Sequence, residues 1–196
     1  DAGLRHQDIK PDNIFLAVFG RRIHPVLLDL GVAAEREAAF IAGTALYASP
    51  EQIFALDASI HRAPLTEKMD TYCLATTLLV SLVGPQYVPG DTATHPAELA
   101  VAHATRASNP IAKEALPELQ GAPREKLIAT LKTWLALEPK DRPSMTEVAE
   151  QLDVLLEKER EEKRREEQAK ERQKTALLRF RVAVGALLIG ALATAI

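Results

Sequence analysis

Eight consecutive residues, His6-Gln7-Asp8-Ile9-Lys10-Pro11-Asp12-Asn13, and a second run, Asp29-Leu30-Gly31, carry side chains suited to moving a phosphoryl group. A phosphoryl group in transfer bears dense negative charge, so it needs metal ions and a cation around it. Asn13 and Asp29 offer hard oxygen ligands of the kind Mg²⁺ takes. Asp8 can accept the proton of an attacking hydroxyl, and Lys10 can offset the charge of the moving phosphate. By spacing alone these residues are an acid and amide cluster, and the bland reading of Asp8 is a loop carboxylate capping a backbone amide.

Such a cluster works only if two loops meet. The apolar runs 14–16 and 26–28 flank a basic turn, Gly20-Arg21-Arg22-Ile23-His24-Pro25, which predicts a β-hairpin. That hairpin would set Asn13 and Asp29 at neighbouring strand ends, as shared metal binding requires. Residues 32–50 lack periodicity and read as a loop. Met69 to about Val83 is a near-continuous apolar run stopped by Gly84-Pro85, long enough for a buried helix. Helices are also expected from Pro96 to about Ala107 and from Pro123 to Leu137, the latter amphipathic with Trp134 in its core face. Ser144-Met145-Thr146-Glu147 has the capping-box pattern and opens a further helix.

The two chemical runs, in this order, resemble the catalytic and metal-binding loops of eukaryotic-type serine/threonine protein kinases. The family pattern is His-Arg-Asp-x-Lys-x-x-Asn, then Asp-Phe-Gly, then Ala-Pro-Glu. Here it reads His6 to Asn13, Asp29-Leu30-Gly31 and Ser49-Pro50-Glu51. Gly43-Thr44-Ala45-Leu46-Tyr47 resembles the substrate-facing loop, Asp70 to Ala75 the start of the central helix, and Trp134 to Pro143 the closing segment. The likeness runs from residue 1 to about residue 155.

The resemblance implies roles. Asp8 and Lys10 would be catalytic, with Lys10 marking Ser/Thr over Tyr specificity. Asn13 and Asp29 would hold Mg²⁺ for ATP. Thr44 would steady the substrate loop against Asp8 and Lys10. His6, Gly31, Glu51, Asp70 and Arg142 would be structural: His6 packing the loop, Gly31 turning the chain, Glu51 and Arg142 forming a buried ion pair, Asp70 bonding the catalytic-loop backbone.

Three departures matter. The chain begins at Asp1 and contains no Gly-x-Gly-x-x-Gly loop and no Val-Ala-Ile-Lys strand, the parts that grip ATP in the family's small lobe. We therefore expect a large lobe only, inactive by itself, with apolar surface exposed where the small lobe would sit. Gln7 replaces the Arg that grips a phosphorylated loop in the family. Between Gly31 and Gly43 there is no Ser, Thr or Tyr, so the two absences agree. Leu30 replaces Phe, an apolar substitution without functional meaning.

At 196 residues and a net charge of −3, the chain can hold one domain plus an appendage, and it lacks the positive charge a nucleic-acid binder needs. Its single cysteine, Cys73, rules out an internal disulfide and reads as a buried thiol. His24, His61, His95 and His103 have no ligand spacing.

From Glu157 to Lys174 the chain is almost wholly Glu, Lys, Arg and Gln, with opposite charges three or four apart, as in Glu159–Lys163 and Glu162–Glu166–Lys170. That is a solvated helix rather than a coiled coil, because apolar heptad positions are missing. Residues 182–196 are apolar apart from Thr194, with Lys174, Arg179 and Arg181 before them. This reads as the start of a transmembrane helix with the kinase lobe on the cytoplasmic side. Gly185, Ala186, Gly190 and Thr194 could pair such helices into a homodimer.

The expected architecture is mainly α: a kinase large lobe over 1–155, a charged juxtamembrane helix over 156–178 and a single membrane span over 180–196. The expected activity is transfer of the ATP γ-phosphate to protein Ser/Thr hydroxyls in membrane-anchored signalling. A second reading is a membrane-tethered pseudokinase serving as an interaction module. A third, a small-molecule kinase, fits poorly with a peptide-docking loop at Gly43–Glu51.

Overall fold

The computed structural model describes residues 5–20, 22–29, 45–55 and 66–193, and only the backbone at 155, 158, 159, 162, 163 and 177–193. Gly31, Thr44 and Thr194 lie outside the described residues, as does most of the segment expected to be a loop. The chain divides into two compact units, residues 1–148 and 149–196.

In the first unit, strands β1 (Ile14–Phe19) and β2 (Arg22–Leu27) form an antiparallel hairpin with Ile14 opposite Leu27 and Phe19 opposite Arg22. The strands are longer than the apolar runs suggested. The ladder closes at the pair Phe19 and Arg22, and Arg22 to Pro25 are strand rather than turn. Gly20 has φ +63°, a left-handed value that glycine adopts freely. Pro25 has no N–H to give, but in a two-stranded ribbon both strands are edges, which is where Pro is tolerated.

Helices α1 (Pro50–Phe54), α2 (Lys68–Val83), α3 (Pro96–Ser108) and α4 (Gly121–Trp134) follow. Helix α2 is enclosed nearly all round: Met69, Tyr72, Ala75 and Leu79 are 0% exposed. Its apolar composition is the cause, since no polar stripe leaves it a face for water. Leu99 from α3, Leu131 and Trp134 from α4, and Leu135 and Val148 complete the core. Cys73 is buried there, and burial pushes its thiol pKa up, so it stays an unreactive thiol. Arg124 of α4 donates to the carbonyls of Ala112, Ala115 and Leu116, fixing the connection that precedes its own helix.

Helix α5 runs without interruption from Met145 to Ala193. Its start is the expected capping box: the Glu147 carboxylate accepts the Ser144 N–H at 2.7 Å, and Ser144 Oγ accepts the Glu147 N–H at 3.3 Å. Those bonds also hold the Glu147 carboxyl below its ordinary pKa. The charged stretch expected over 156–178 and the described part of the next segment, 180–193, share this one helix. No Gly or Pro occurs from Met145 to Val184, and the residues between are mostly strong helix formers. Exposed pairs Arg160–Asp153, Arg165–Glu161 and Lys174–Glu171 line the charged stretch. Of the pairs named from the sequence, Glu159–Lys163 and Glu162 fall where side chains are not described.

Among the described residues no helix is long and apolar enough to cross a membrane. The expected span over 180–196 falls where only the backbone is described, to residue 193, or outside the described residues.

Candidate active site

The site is built by fastening one loop to a buried helix and the end of the hairpin to that loop. Asp70, at the start of α2, accepts the His6 N–H on one carboxylate oxygen and the Gln7 N–H on the other, each at 2.7 Å. These are charge-assisted bonds, stronger than neutral ones. Thr77, two turns further on, points its hydroxyl at the Ile9 carbonyl, 3.2 Å away, and at the Cys73 carbonyl, 2.8 Å away. Gln52 of α1 reaches from the other side and donates to the Gln7 carbonyl at 2.8 Å. Residues 6 to 9 are therefore held by backbone contacts to two helices.

Gln7 sits at φ +67° and Asp29 at φ +54°. Non-glycine residues in this region carry strain that the surrounding bonds must offset. Here the offset at Gln7 is visible: its N–H and C=O are taken by Asp70 and Gln52.

His6 is buried and joins the loops. Its Nε2 lies 2.9 Å from the Leu28 carbonyl, and its Nδ1 accepts the Asp8 N–H at 3.3 Å. Both ring nitrogens are engaged with backbone, so His6 is scaffold. The Leu28 N–H in turn donates to the Asn13 carbonyl at 2.8 Å. Leu28 is thus gripped on both its polar groups by the 6–13 loop, and Asp29 is the next residue.

Within the first loop, the Asn13 side-chain N–H₂ donates to the Asp8 carbonyl at 2.7 Å and to its carboxylate at 3.1 Å. Lys10 Nζ lies 3.2 Å from that carboxylate. The structure therefore brings Asp8, Lys10 and Asn13 into direct contact and sets Asp29 on the adjoining chain end.

This donor set suits a magnesium ion. The Asn13 amide spends its nitrogen on Asp8, which leaves its oxygen as the ligand atom, and the exposed Asp29 follows Leu28, whose N–H is bonded to the Asn13 carbonyl. Two protein oxygens are few, but Mg²⁺ commonly takes only one or two carboxylates and completes its shell with water and substrate phosphates. Among the described residues no cluster of three or more His, Cys, Asp or Glu forms an all-protein metal site.

Further out, Arg142 and Glu51 form a two-pronged ion pair, Nη1–Oε1 2.7 Å and Nη2–Oε2 2.9 Å, with both side chains buried. Arg142 also donates to the Ala136 and Leu137 carbonyls and stacks 5.0 Å from the Tyr72 ring centroid. The pair ties α1, and with it residues 45–49, to the segment preceding α5.

The sequence signature described as Protein kinase domain matches residues 1–152. The chain belongs to the protein kinase family. It is 28% identical over 162 residues to serine/threonine-protein kinase PkaA of Streptomyces coelicolor, covering 79% of this chain and 26% of that protein. It is 30% identical over 158 residues to serine/threonine-protein kinase PknK of Mycobacterium tuberculosis, covering 76% of this chain and 12% of that protein. The chain thus spans about a quarter or less of the length of the curated relatives it matches.

The kinase motifs did not disclose three contributors. Gln52 bridges α1 and the Gln7 carbonyl, Thr77 bonds the Ile9 carbonyl, and Arg106 of α3 reaches the Leu46 carbonyl at 2.8 Å. For Arg106 a signal existed. It shares the helical face of Leu99, Ala102 and His103, at spacings of three and four, and a cation on an apolar face needs a buried partner.

Proposed function

We propose that this chain supplies the catalytic lobe of a serine/threonine protein kinase, transferring the γ-phosphate of Mg·ATP to protein Ser or Thr hydroxyls. The observation that carries this reading is the contact of Asp8 with both Lys10 and Asn13, on a loop fastened to the Asp29 chain end. Asp8 orients the acceptor hydroxyl and takes its proton. Asn13 holds the Asp8 carboxylate in place through its N–H₂. Lys10, 3.2 Å from Asp8, is placed to offset negative charge arriving at that carboxylate. Asn13 and Asp29 would hold Mg²⁺, which would offset the negative charge of the phosphate groups.

Retention of all four groups favours an enzyme over the pseudokinase reading. The relatives PkaA and PknK, both described as serine/threonine-protein kinases, support Ser/Thr acceptors. The hairpin exposes Phe15, Leu16, Val18, Phe19 and Ile23, an apolar surface of the kind an ATP-gripping lobe would cover. The lobe alone is then inactive, and activity belongs to the full-length protein.

The same proposal places the lobe at a membrane, on the cytoplasmic side. Its support is the apolar sequence 182–196 with Arg179 and Arg181 before it. Recovery of full-length protein in the carbonate-resistant membrane fraction is expected, and recovery in the soluble fraction would remove this part.

The activity is tested by incubating full-length protein with Mg·ATP and a protein acceptor and identifying the phosphorylated amino acids. Phosphoserine and phosphothreonine are expected. Phosphotyrosine alone, or a labelled small molecule with no labelled protein, would contradict the reading.

A further inference from the structure

We propose that Arg106 is the positioning residue of the substrate-facing loop, holding Leu46 so that a protein acceptor can dock beside Asp8. The inference rests on the kinase reading for its consequence in catalysis, and on geometry for the rest.

Arg106 is 0% exposed, yet among the described residues no carboxylate pairs with it. A buried guanidinium must satisfy its donors or be costly. Here carbonyl oxygens do so. Nη1 donates to the Leu46 carbonyl at 2.8 Å and lies 3.5 Å from the Tyr72 hydroxyl. Nε and Nη2 both donate to the Pro89 carbonyl, at 2.8 and 2.6 Å. One side chain therefore bolts the 45–47 turn to the 88–92 turn, with α3 between them.

The surroundings are shaped for it. Gly90 has φ +96°, and a Cβ there would stand 2.7 Å from Arg106 Nη2 and 2.9 Å from the Ala102 Cβ. A side chain at position 90 would displace the guanidinium. Ala45 and Ile53 pack with Leu99 of α3, so the same loop is gripped by an apolar contact one helical turn from the start of α3 and a polar one near its end. Among the described residues, the bonds Arg106 itself makes go to Leu46, Tyr72 and Pro89, away from the 6–13 loop. Loss of Arg106 should therefore loosen acceptor docking and leave nucleotide handling alone.

Lys is a point charge without the planar fork, so it cannot reproduce the two-pronged bond to Pro89 together with the bond to Leu46. The test compares full-length wild type with Arg106→Lys, Arg106→Met and Gly90→Ala. It measures KM for a protein acceptor, KM for ATP, and amide exchange of residues 45–49 against residues 6–10. For Arg106→Met we expect an acceptor KM raised about tenfold, the scale of a charge-assisted bond, with ATP KM within about twofold. Arg106→Lys should fall between, Gly90→Ala should follow Arg106→Met, and exchange should quicken at 45–49 only.

Equal losses in both KM values, exchange quickened throughout, unfolding of all three variants, or no change would each overturn the inference. Absence of phosphate transfer in wild type would instead sink the kinase reading, and the exchange comparison would still decide whether Arg106 holds the loop.

Discussion

Asn13 points its amide nitrogen at Asp8, 2.7 Å from the carbonyl and 3.1 Å from the carboxylate. One residue thus aligns the proposed base through its nitrogen and keeps its amide oxygen for the proposed metal. Asn13→Ala should remove both services. Activity is expected to fall about 10–100-fold, as for residues that orient reacting groups, with a higher Mg²⁺ requirement. Asn13→Asp keeps an oxygen ligand but sets a carboxylate against Asp8, so it should also lose activity. Magnesium titrations of kcat check both, and an unchanged titration in Asn13→Ala would contradict the assignment.

Glu51 and Arg142 are buried and doubly bonded. Glu51→Leu strands a buried cation, at a cost of about 3–5 kcal/mol. The melting temperature should fall by roughly 10 °C or more for a domain of this size. Glu51→Leu combined with Arg142→Met should recover part of the loss, because neither charge is left alone. Thermal unfolding of the three proteins is the check.

The site was legible in the sequence to the extent that it is written in local motifs. His6 to Asn13 fixed the loop, and Asp29 followed from the hairpin that the two apolar runs implied. The buried pair Glu51–Arg142 and the bonds from Asp70 were expected from resemblance, and the structure shows both. Contacts between distant chain segments left less trace. Gln52 and Gln7 are 45 positions apart, and no spacing rule connects an amide on one helix to a carbonyl on a remote loop. The ladder from Arg22 to Pro25 was hidden by Pro and Arg residues that usually mark turns. The unbroken α5 was hidden by a change in surface chemistry that does not disturb helix geometry.

His103 packs edge-on against Tyr72, with ring centroids 5.4 Å apart, and is 1% exposed. Burial first, and the nearby Arg106 cation second, hold its pKa down to about 3. The unfolded chain takes up a proton near the ordinary value of about 6.5, so it binds more protons than the folded chain between the two values. His103 therefore costs stability as pH falls below about 6.5, by at most about 1.4 kcal/mol per pH unit, and contributes no pH dependence above it. The unfolding free energy of wild type should fall relative to that of His103→Leu as pH drops below about 6.5, and the two should run parallel above neutrality. A parallel offset at all pH values would show that His103 titrates normally.

The segment between Gly31 and Gly43 has no hydroxyl to phosphorylate, and Gln7 replaces the Arg that would grip such a phosphate. Activity should therefore not depend on phosphate there. Mass spectrometry of active full-length protein should find residues 32–42 unmodified, and phosphatase treatment should leave the rate unchanged. A stoichiometric phosphate in the neighbouring loop residues that raises activity would contradict this.

The most direct measurement is phosphate transfer from radiolabelled ATP by full-length protein, with wild type beside Asp8→Asn and Asp29→Asn. Wild type should label a protein acceptor and both variants should lose the label, because one removes the proton acceptor and the other a magnesium ligand. Equal labelling by all three proteins would contradict the account.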